Sequence, residues 1–503
     1  MKLRYVFFTM MTCSTILFGS ATAQPVRSAT GDETTPSEFN KILKTAGRSN
    51  RDLLDLPASF SLKKYAPQVK DQGQYGTCVA WSSAYAARTI SYAVRKGFTH
   101  ADSIQKYSFS PGHLYNRIKR QNDVQCKIGS SIYLAMQKLK EEGNVLYNKG
   151  ISDCGPNSNS PEEAEVYRIK DFMALTAEFE KVTKNEILLA KKSLTEKKPL
   201  LLCLKFYKSL FDIRTDGMWN PVENEIPIGK HALCIVGYDD TKNGGSFEIM
   251  NSWGTEWAQV GFFWVTYEQL MKYGVYMVEM MDYETTAIID GLPEKKKSLL
   301  QNPAVKIQPA SKTKLQLTGT LDFVKLDGTA MPVSRTKINS RSLVVEDDKQ
   351  AEYSQYKIQQ NYPGGTAFKV RFTTGSPAYV YIFSQDDKKV ISRLFPFNEK
   401  VSAAINSTNA TIYFPSENKH AVISNTPGKE NICVLYSKEA LDINTILQSI
   451  ETNASPLSET LKTHLGEKLL SIKDIHFDDE AIRFRATTDE TRIICFFITL
   501  EHF

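Results

Sequence analysis

The stretch "DQGQYGTCVAWSSAYAARTI", residues 71–90, decides how the first half of this chain reads. Gly73 and Gly76 allow a tight turn. From Cys78 onward the residues are small or apolar, and the pattern predicts a helix that begins near the cysteine. That start would set the sulfur at a helix N-terminus, where the dipole favours negative charge. A thiol works as a nucleophile only when its thiolate is stabilised. Gln72, six residues upstream, carries an amide that could fold back and donate to an oxyanion beside the sulfur. A cysteine alone is more often a buried small hydrophobe, so the nucleophile reading needs a base elsewhere in the chain.

Seven histidines are present. His231 stands out because it opens a strand-like run, "HALCIVGYD", with small Ala232 beside it. Twenty residues on comes "NSWGTEW" (251–257). There Asn251 could orient an imidazole through its amide oxygen, and Trp253 could cover that hydrogen bond from water. His100 and His113 have no partner motif. His420, His464, His476 and His502 are scattered in the second half without metal-ligand spacing. Each element alone is weak. The order Gln72, Cys78, His231, Asn251-Ser-Trp-Gly is what carries weight.

On "PQVKDQGQYGTCVAW" (67–81), "GKHALCIVGY" (229–238) and "NSWGTEW", the chain resembles the papain-like cysteine peptidases over about residues 53–285. The resemblance implies an α+β fold of two lobes, a helical lobe and a β-barrel-like lobe. It implies Cys78 as the nucleophile, His231 as its ion-pair partner and general acid, and Asn251 as the residue orienting His231. Gln72 with the Cys78 backbone N–H would form the oxyanion hole, and Trp253 would shield the Asn–His contact. Gly129 and Ser130 would pair with substrate backbone, and Cys126 with Cys154 would form a disulfide. Tyr75 stands where many members have a disulfide cysteine. Val79 replaces the usual aromatic residue, and Glu256-Trp257-Ala258 alters the step after the tryptophan motif; these departures indicate a bacterial-type branch.

The remainder of the chain bounds the setting. Its 503 residues imply more than one domain. Lys2 and Arg4, an apolar run from Tyr5 to Gly19 and Ala21-Thr22-Ala23 read as a signal peptide over 1–23, so the protein is expected to be exported, to a periplasm or beyond the cell. Lys2 and Arg4 are the only charged residues removed with it, so a net charge of +6 becomes +4. That is too mild for a nucleic-acid footprint, and no later segment is apolar enough to span a bilayer. Losing Cys13 with the signal leaves seven of eight cysteines, an odd number for an oxidising compartment. Cys203 and Cys234 fall in apolar strands and read as buried thiols, while Cys433 and Cys495 read as core thiols or a bridge.

Residues 24–52 read as a flexible lead-in, too short for the long inhibitory propeptide of many relatives, so another device would have to hold the enzyme inactive. The peptidase domain is expected over 53–288, a Pro- and Lys-rich linker over 289–313 and a β-rich module over 314–503. "LFPFN" and its flanks (about 365–440) resemble an uncharacterised bacterial β-rich module (DUF4384-like), whose aromatics read as sandwich core and whose partner is unknown. The expected function is an exported cysteine peptidase that needs no cofactor and acts on peptide or protein substrates. The rival readings are a catalytically impaired peptide-binding protein and a cell-wall amidase or transpeptidase using the same Cys–His chemistry.

Overall fold

The computed structural model describes residues 31–47, 50–156, 161–283, 314–336, 353–416, 419–453, 455–488 and 491–503. The signal peptide and the linker expected from the sequence lie outside these residues.

In the first domain most helices come early in the chain and most strands follow, an α+β arrangement. One continuous helix runs from Cys78 to Lys96, its middle turns (Trp81–Arg88) wound as a π-helix, and it ends at Gly97 in the left-handed conformation. Nearly every side chain from Cys78 to Ala93 is buried, because helices Pro111–Ile118 and Ile132–Glu141 on one side and a sheet on the other enclose it. That sheet is seven-stranded and antiparallel. Its order is Asp171–Ala174, Gly274–Met281, Leu200–Phe206, Gly229–Asp239, Ser246–Met250, Phe262–Thr266, with Ser59–Ser61 added on Gly229–Asp239. Leu200–Phe206 and Gly229–Asp239 read as apolar runs because both faces are covered. Helix and sheet meet where Cys78 faces Ala232.

The second domain is a β-sandwich. One sheet runs Ile391–Phe395, Ala378–Asp386, Gly428–Ser437, Ile493–His502, Ser354–Ile358, Val333–Arg335; the other runs Ala410–Phe414, Ala367–Thr374, Leu315–Lys325, Ile482–Thr488, Ile475–Phe477. Phe372, Phe484, Phe496, Tyr356 and Tyr436 fill the space between them. Strand alternation is clean in Ile482–Thr488, where every second residue is buried. Cys433 and Cys495 are buried free thiols with sulfurs 4.0 Å apart.

The two domains share a packed interface. Met173 and Met281 of the first domain join Tyr379, Tyr381, Cys433 and the helices Ile443–Thr452 and Leu457–Leu465 in one apolar cluster. Polar links surround it: Tyr379 donates to Asp171 at 3.0 Å, Asn406 to Glu279 at 2.7 Å and Ser407 to Glu196 at 2.6 Å.

The lead-in is the main difference from expectation. Residues 31–47 are seated rather than free. Helix Pro36–Lys41 starts with Thr35 as N-cap and a reciprocal bond from Glu38, and it buries Phe39. Leu43 and Thr45 then pair with Ala174 of the first domain, while Lys44 pairs with Lys400 and Ser402 of the second. Tertiary pairing orders a segment whose composition alone carries little apolar pattern.

Glu279 is fully buried, and its carboxylate takes bonds from Ser193 and Asn406 with Lys198 at 3.8 Å. Replacing it with alanine strands those groups at the domain interface. Glu279→Ala is expected to cost about 3 kcal/mol, read as a lower urea midpoint of the first unfolding transition.

Candidate active site

Residues separated by up to 180 positions converge beside the start of the long helix. Cys78 is the first residue of that helix. Its sulfur accepts the Ala232 backbone N–H at 3.4 Å, which sets it next to His231. His231 lies early in Gly229–Asp239, and its Nε2 meets Asn251 Oδ1 at 2.9 Å. The same oxygen accepts the Ser252 N–H at 2.8 Å, which defines it as an acceptor. Nε2 therefore carries the proton, and Nδ1 keeps the lone pair of a base. Trp253 stacks on the imidazole, with ring centres 5.1 Å apart, and Phe206 closes its other flank at 5.6 Å.

Gln72 is held by three contacts. Its backbone N–H donates to the Ser252 carbonyl, Ser252 Oγ donates to its Oε1 at 2.5 Å, and its Nε2 donates to the Tyr75 carbonyl at 2.8 Å. An amide nitrogen has two hydrogens, so one N–H stays available to an oxyanion. Gln72, Cys78, His231, Asn251 and Trp253 are thus brought together. Cys126 and Cys154 form a disulfide, and the Cys126 carbonyl accepts the Gly76 N–H in the turn before Cys78.

Gly129 and Ser130 lie across the cleft, and a peptide backbone is already paired with them. It is the protein's own. Ser130 N–H donates to the Gly31 carbonyl at 3.0 Å and Glu33 N–H donates to the Ser130 carbonyl at 2.8 Å, so the lead-in runs parallel to this segment. Asp32 N–H reaches the Lys230 carbonyl at 3.3 Å. Gly31 sits on the sulfur so closely that a Cβ there would overlap Cys78 Sγ. Gly129 is needed for the same approach: its φ is +91°, and a Cβ on it would come within 2.7 Å of the Gly31 carbonyl oxygen. Because Ser130 binds that oxygen, Gly31 is not presented to the Gln72 amide as a scissile carbonyl would be.

This cover removes water from the site. Cys78 has no exposed surface, and His231 keeps only 4%. Burial pushes the thiol up to about 12, against backbone N–H donors including Ala232 that pull it down. Burial likewise lowers His231 to about 4, against the Asn251 bond that raises it. In the closed form the pair is therefore a neutral thiol and a neutral imidazole. An open groove of about 600 Å³ lies beside Trp253, between Trp81, Tyr147, Asp153 and Glu256. Among the described residues no group of three His, Cys, Asp or Glu could hold a metal ion, and no helix is long and apolar enough to cross a membrane.

Sequence reading missed Gly31, Asp32 and Thr34, which line the site from the lead-in, and Ser252, which holds Gln72. The signal for an ordered lead-in was present: Thr35-Pro36-Ser37-Glu38 is a capping box with proline at the first helical position.

Residues 56–283 match the family model for papain family cysteine protease, and residues 361–440 match that for a domain of unknown function (DUF4384). The chain is 25% identical over 227 residues to an uncharacterized peptidase C1-like protein of Acanthamoeba polyphaga mimivirus, covering 43% of this chain and 69% of that one. It is 24% identical over 229 residues to vignain of Vigna mungo, covering 45% and 59%, and 24% identical over 215 residues to cathepsin L2 of Homo sapiens, covering 42% and 60%. The chain thus spans 59% to 69% of these relatives' lengths. Among solved structures it is similar to xylellain, a cysteine protease from Xylella fastidiosa, with 20% identity and a TM-score of 0.41 over 52% of this chain and 98% of that one.

Two buried imidazoles contribute to the loss of stability in acid. Burial lowers His113, bonded to Asn144, to about 4 as it does His231, against 6.5 for an unperturbed histidine. Between those values the unfolded chain binds protons that the folded chain refuses, so stability falls as pH drops through that window. The melting temperature is expected to fall from pH 6.5 to 4.5, and His113→Gln to make the fall shallower. An unchanged slope in a thermal-shift series would show that His113 does not carry it.

Proposed function

We propose, for a chain whose residues 56–283 are a papain-family cysteine protease domain, that it hydrolyses peptide bonds through Cys78 and is made in a latent form closed by residues 31–34. The observation that carries the reading is the convergence of Cys78, His231, Asn251 and Gln72 beneath a segment of the chain's own backbone.

The chemistry follows from the groups present. With the segment withdrawn, water and substrate reach the pair, and the desolvation that keeps both groups neutral is relieved. The helix N-terminus then favours a thiolate on Cys78 and His231 takes the proton on Nδ1. The sulfur attacks the substrate carbonyl carbon. The carbonyl oxygen gains the negative charge and is met by the free Gln72 N–H and the Cys78 backbone N–H. His231 returns its proton to the leaving amine as the C–N bond breaks, leaving a thioester on Cys78. Water, deprotonated by His231, then releases the acid and restores the thiol. Asn251 holds the ring in the tautomer that permits both transfers, and Trp253 keeps water from their hydrogen bond.

Export belongs to the same proposal, supported by the basic, apolar and Ala-Thr-Ala pattern at the N-terminus. Folding with the cleft filled would suit a protease that must cross its host's own cytoplasm.

An epoxide reagent selective for such thiols gives the test. The full chain is expected to label slowly at Cys78. Gly31→Val, whose side chain cannot share space with the sulfur, should label at least 10-fold faster and should cleave unfolded protein. Cys78→Ala and His231→Ala in that background should abolish cleavage, and Gln72→Ala should lower kcat by about 10²- to 10³-fold. Full-rate cleavage in the Cys78→Ala chain would sink the assignment.

A further inference from the structure

Asp32 is the fully buried acidic residue of the lead-in, and its surroundings describe a pocket. Its Oδ2 accepts the Tyr276 hydroxyl at 2.9 Å, and its Oδ1 accepts the Thr34 N–H at 2.9 Å and hydroxyl at 2.6 Å. Lys230 reaches over the same place, its Nζ donating to the Thr34 carbonyl at 2.9 Å. Thr34 belongs to the segment and leaves with it. What stays is the hydroxyl of Tyr276, a residue with no exposed surface, the buried thiol of Cys203, which also faces Asp32, and the ammonium of Lys230, one residue before His231.

We propose that this pocket selects an acidic side chain, Asp or Glu, on the substrate residue whose backbone pairs with Ser130. The register supports the position: Asp32 is the residue of the lead-in bridged to Ser130, and its side chain fills the pocket. A leucine would suit the rings of Phe179 and Tyr276 but would leave the tyrosine hydroxyl unpaired. A carboxylate takes that hydroxyl as Asp32 does, and the Lys230 ammonium, released from the Thr34 carbonyl, is free to turn to it. The proposal rests on the peptidase reading and deepens it.

The test profiles peptides varied at each of the three residues before the scissile bond, with the Gly31→Val full chain and, in case that variant misfolds, Asp32→Lys, which sets a cation against Lys230. Acidic substrates are expected to exceed leucine ones at least 10-fold in kcat/KM, and Tyr276→Phe and Lys230→Met to collapse that ratio. Cleavage with leucine preferred, or with a ratio that neither variant changes, would overturn the pocket assignment and leave the peptidase standing. No cleavage of any peptide by either opened chain would overturn both.

A second inference stands on the strand pairing alone. The lead-in is shared between domains: Leu43 and Thr45 bond Ala174 of the first, while Lys44 N–H donates to Lys400 at 2.7 Å and Ser402 N–H donates to Lys44 at 2.9 Å from the second. We infer that the C-terminal module is the clamp that keeps the cleft closed, so a ligand or force that shifts the module opens the protease. Ser402→Pro removes the module's donor to Lys44 without touching the lead-in, whereas Lys44→Pro removes the donor to the module together with the Lys44 ammonium that bonds the Phe39 carbonyl, so the Ser402 variant decides where the two differ. Each is expected to speed epoxide labelling of Cys78 about 10-fold in the full chain. Unchanged labelling in both, with amide exchange showing the Lys44–Ser402 pairing lost, would overturn the clamp.

Discussion

The sulfur of Cys78 and the backbone of Gly31 occupy adjoining space with no room for a Cβ between them, and much else follows from that contact. It requires glycine at 31 and an unobstructed approach past Gly129. It is held by two backbone bonds on Ser130 and one on Lys230. The segment adds to the burial that lifts the thiol and depresses the imidazole, and it brings the Asp32 carboxylate near enough to lift the thiol further.

The contact is kept from a distance. From Thr34 the chain enters a capped helix, buries Phe39 against Phe179 and Tyr276, and continues as a strand between two domains. Backbone pairing asks little of the side chains, which is why a segment rich in Ser, Thr and charged residues can serve. The domain interface itself combines an apolar cluster with buried carboxylates, Glu279 and Asp171, each bonded across the boundary. Removing either partner would leave a buried group unpaired, so the module and the first domain hold each other in register.

Much of this was legible beforehand because it depends on local pattern. The strand Gly229–Asp239 falls on the run that opens with His231, and the long helix starts at Cys78, where the small and apolar pattern begins. Gln72, Cys78, His231 and Asn251 were legible as an ordered set, since their chemistry demands those residue types. The helices Pro111–Ile118 and Leu457–Leu465 went unread although Ser110-Pro111 is an N-cap followed by a favoured first residue. Short helices with mixed faces give weak periodicity.

The sequence by itself determined the helix start that carries the thiol, the strand that carries the histidine and the alternation that makes the second domain a sandwich, because these rest on interactions among residues close in the chain. Tertiary structure alone decided that the lead-in lies in the cleft, that Asp32 meets Tyr276 across 244 positions and that the module grips Lys44. Those contacts are backbone hydrogen bonds and one buried carboxylate. A backbone bond leaves no signature in residue type, and a single aspartate in a polar segment looks like any solvated charge until the fold closes around it.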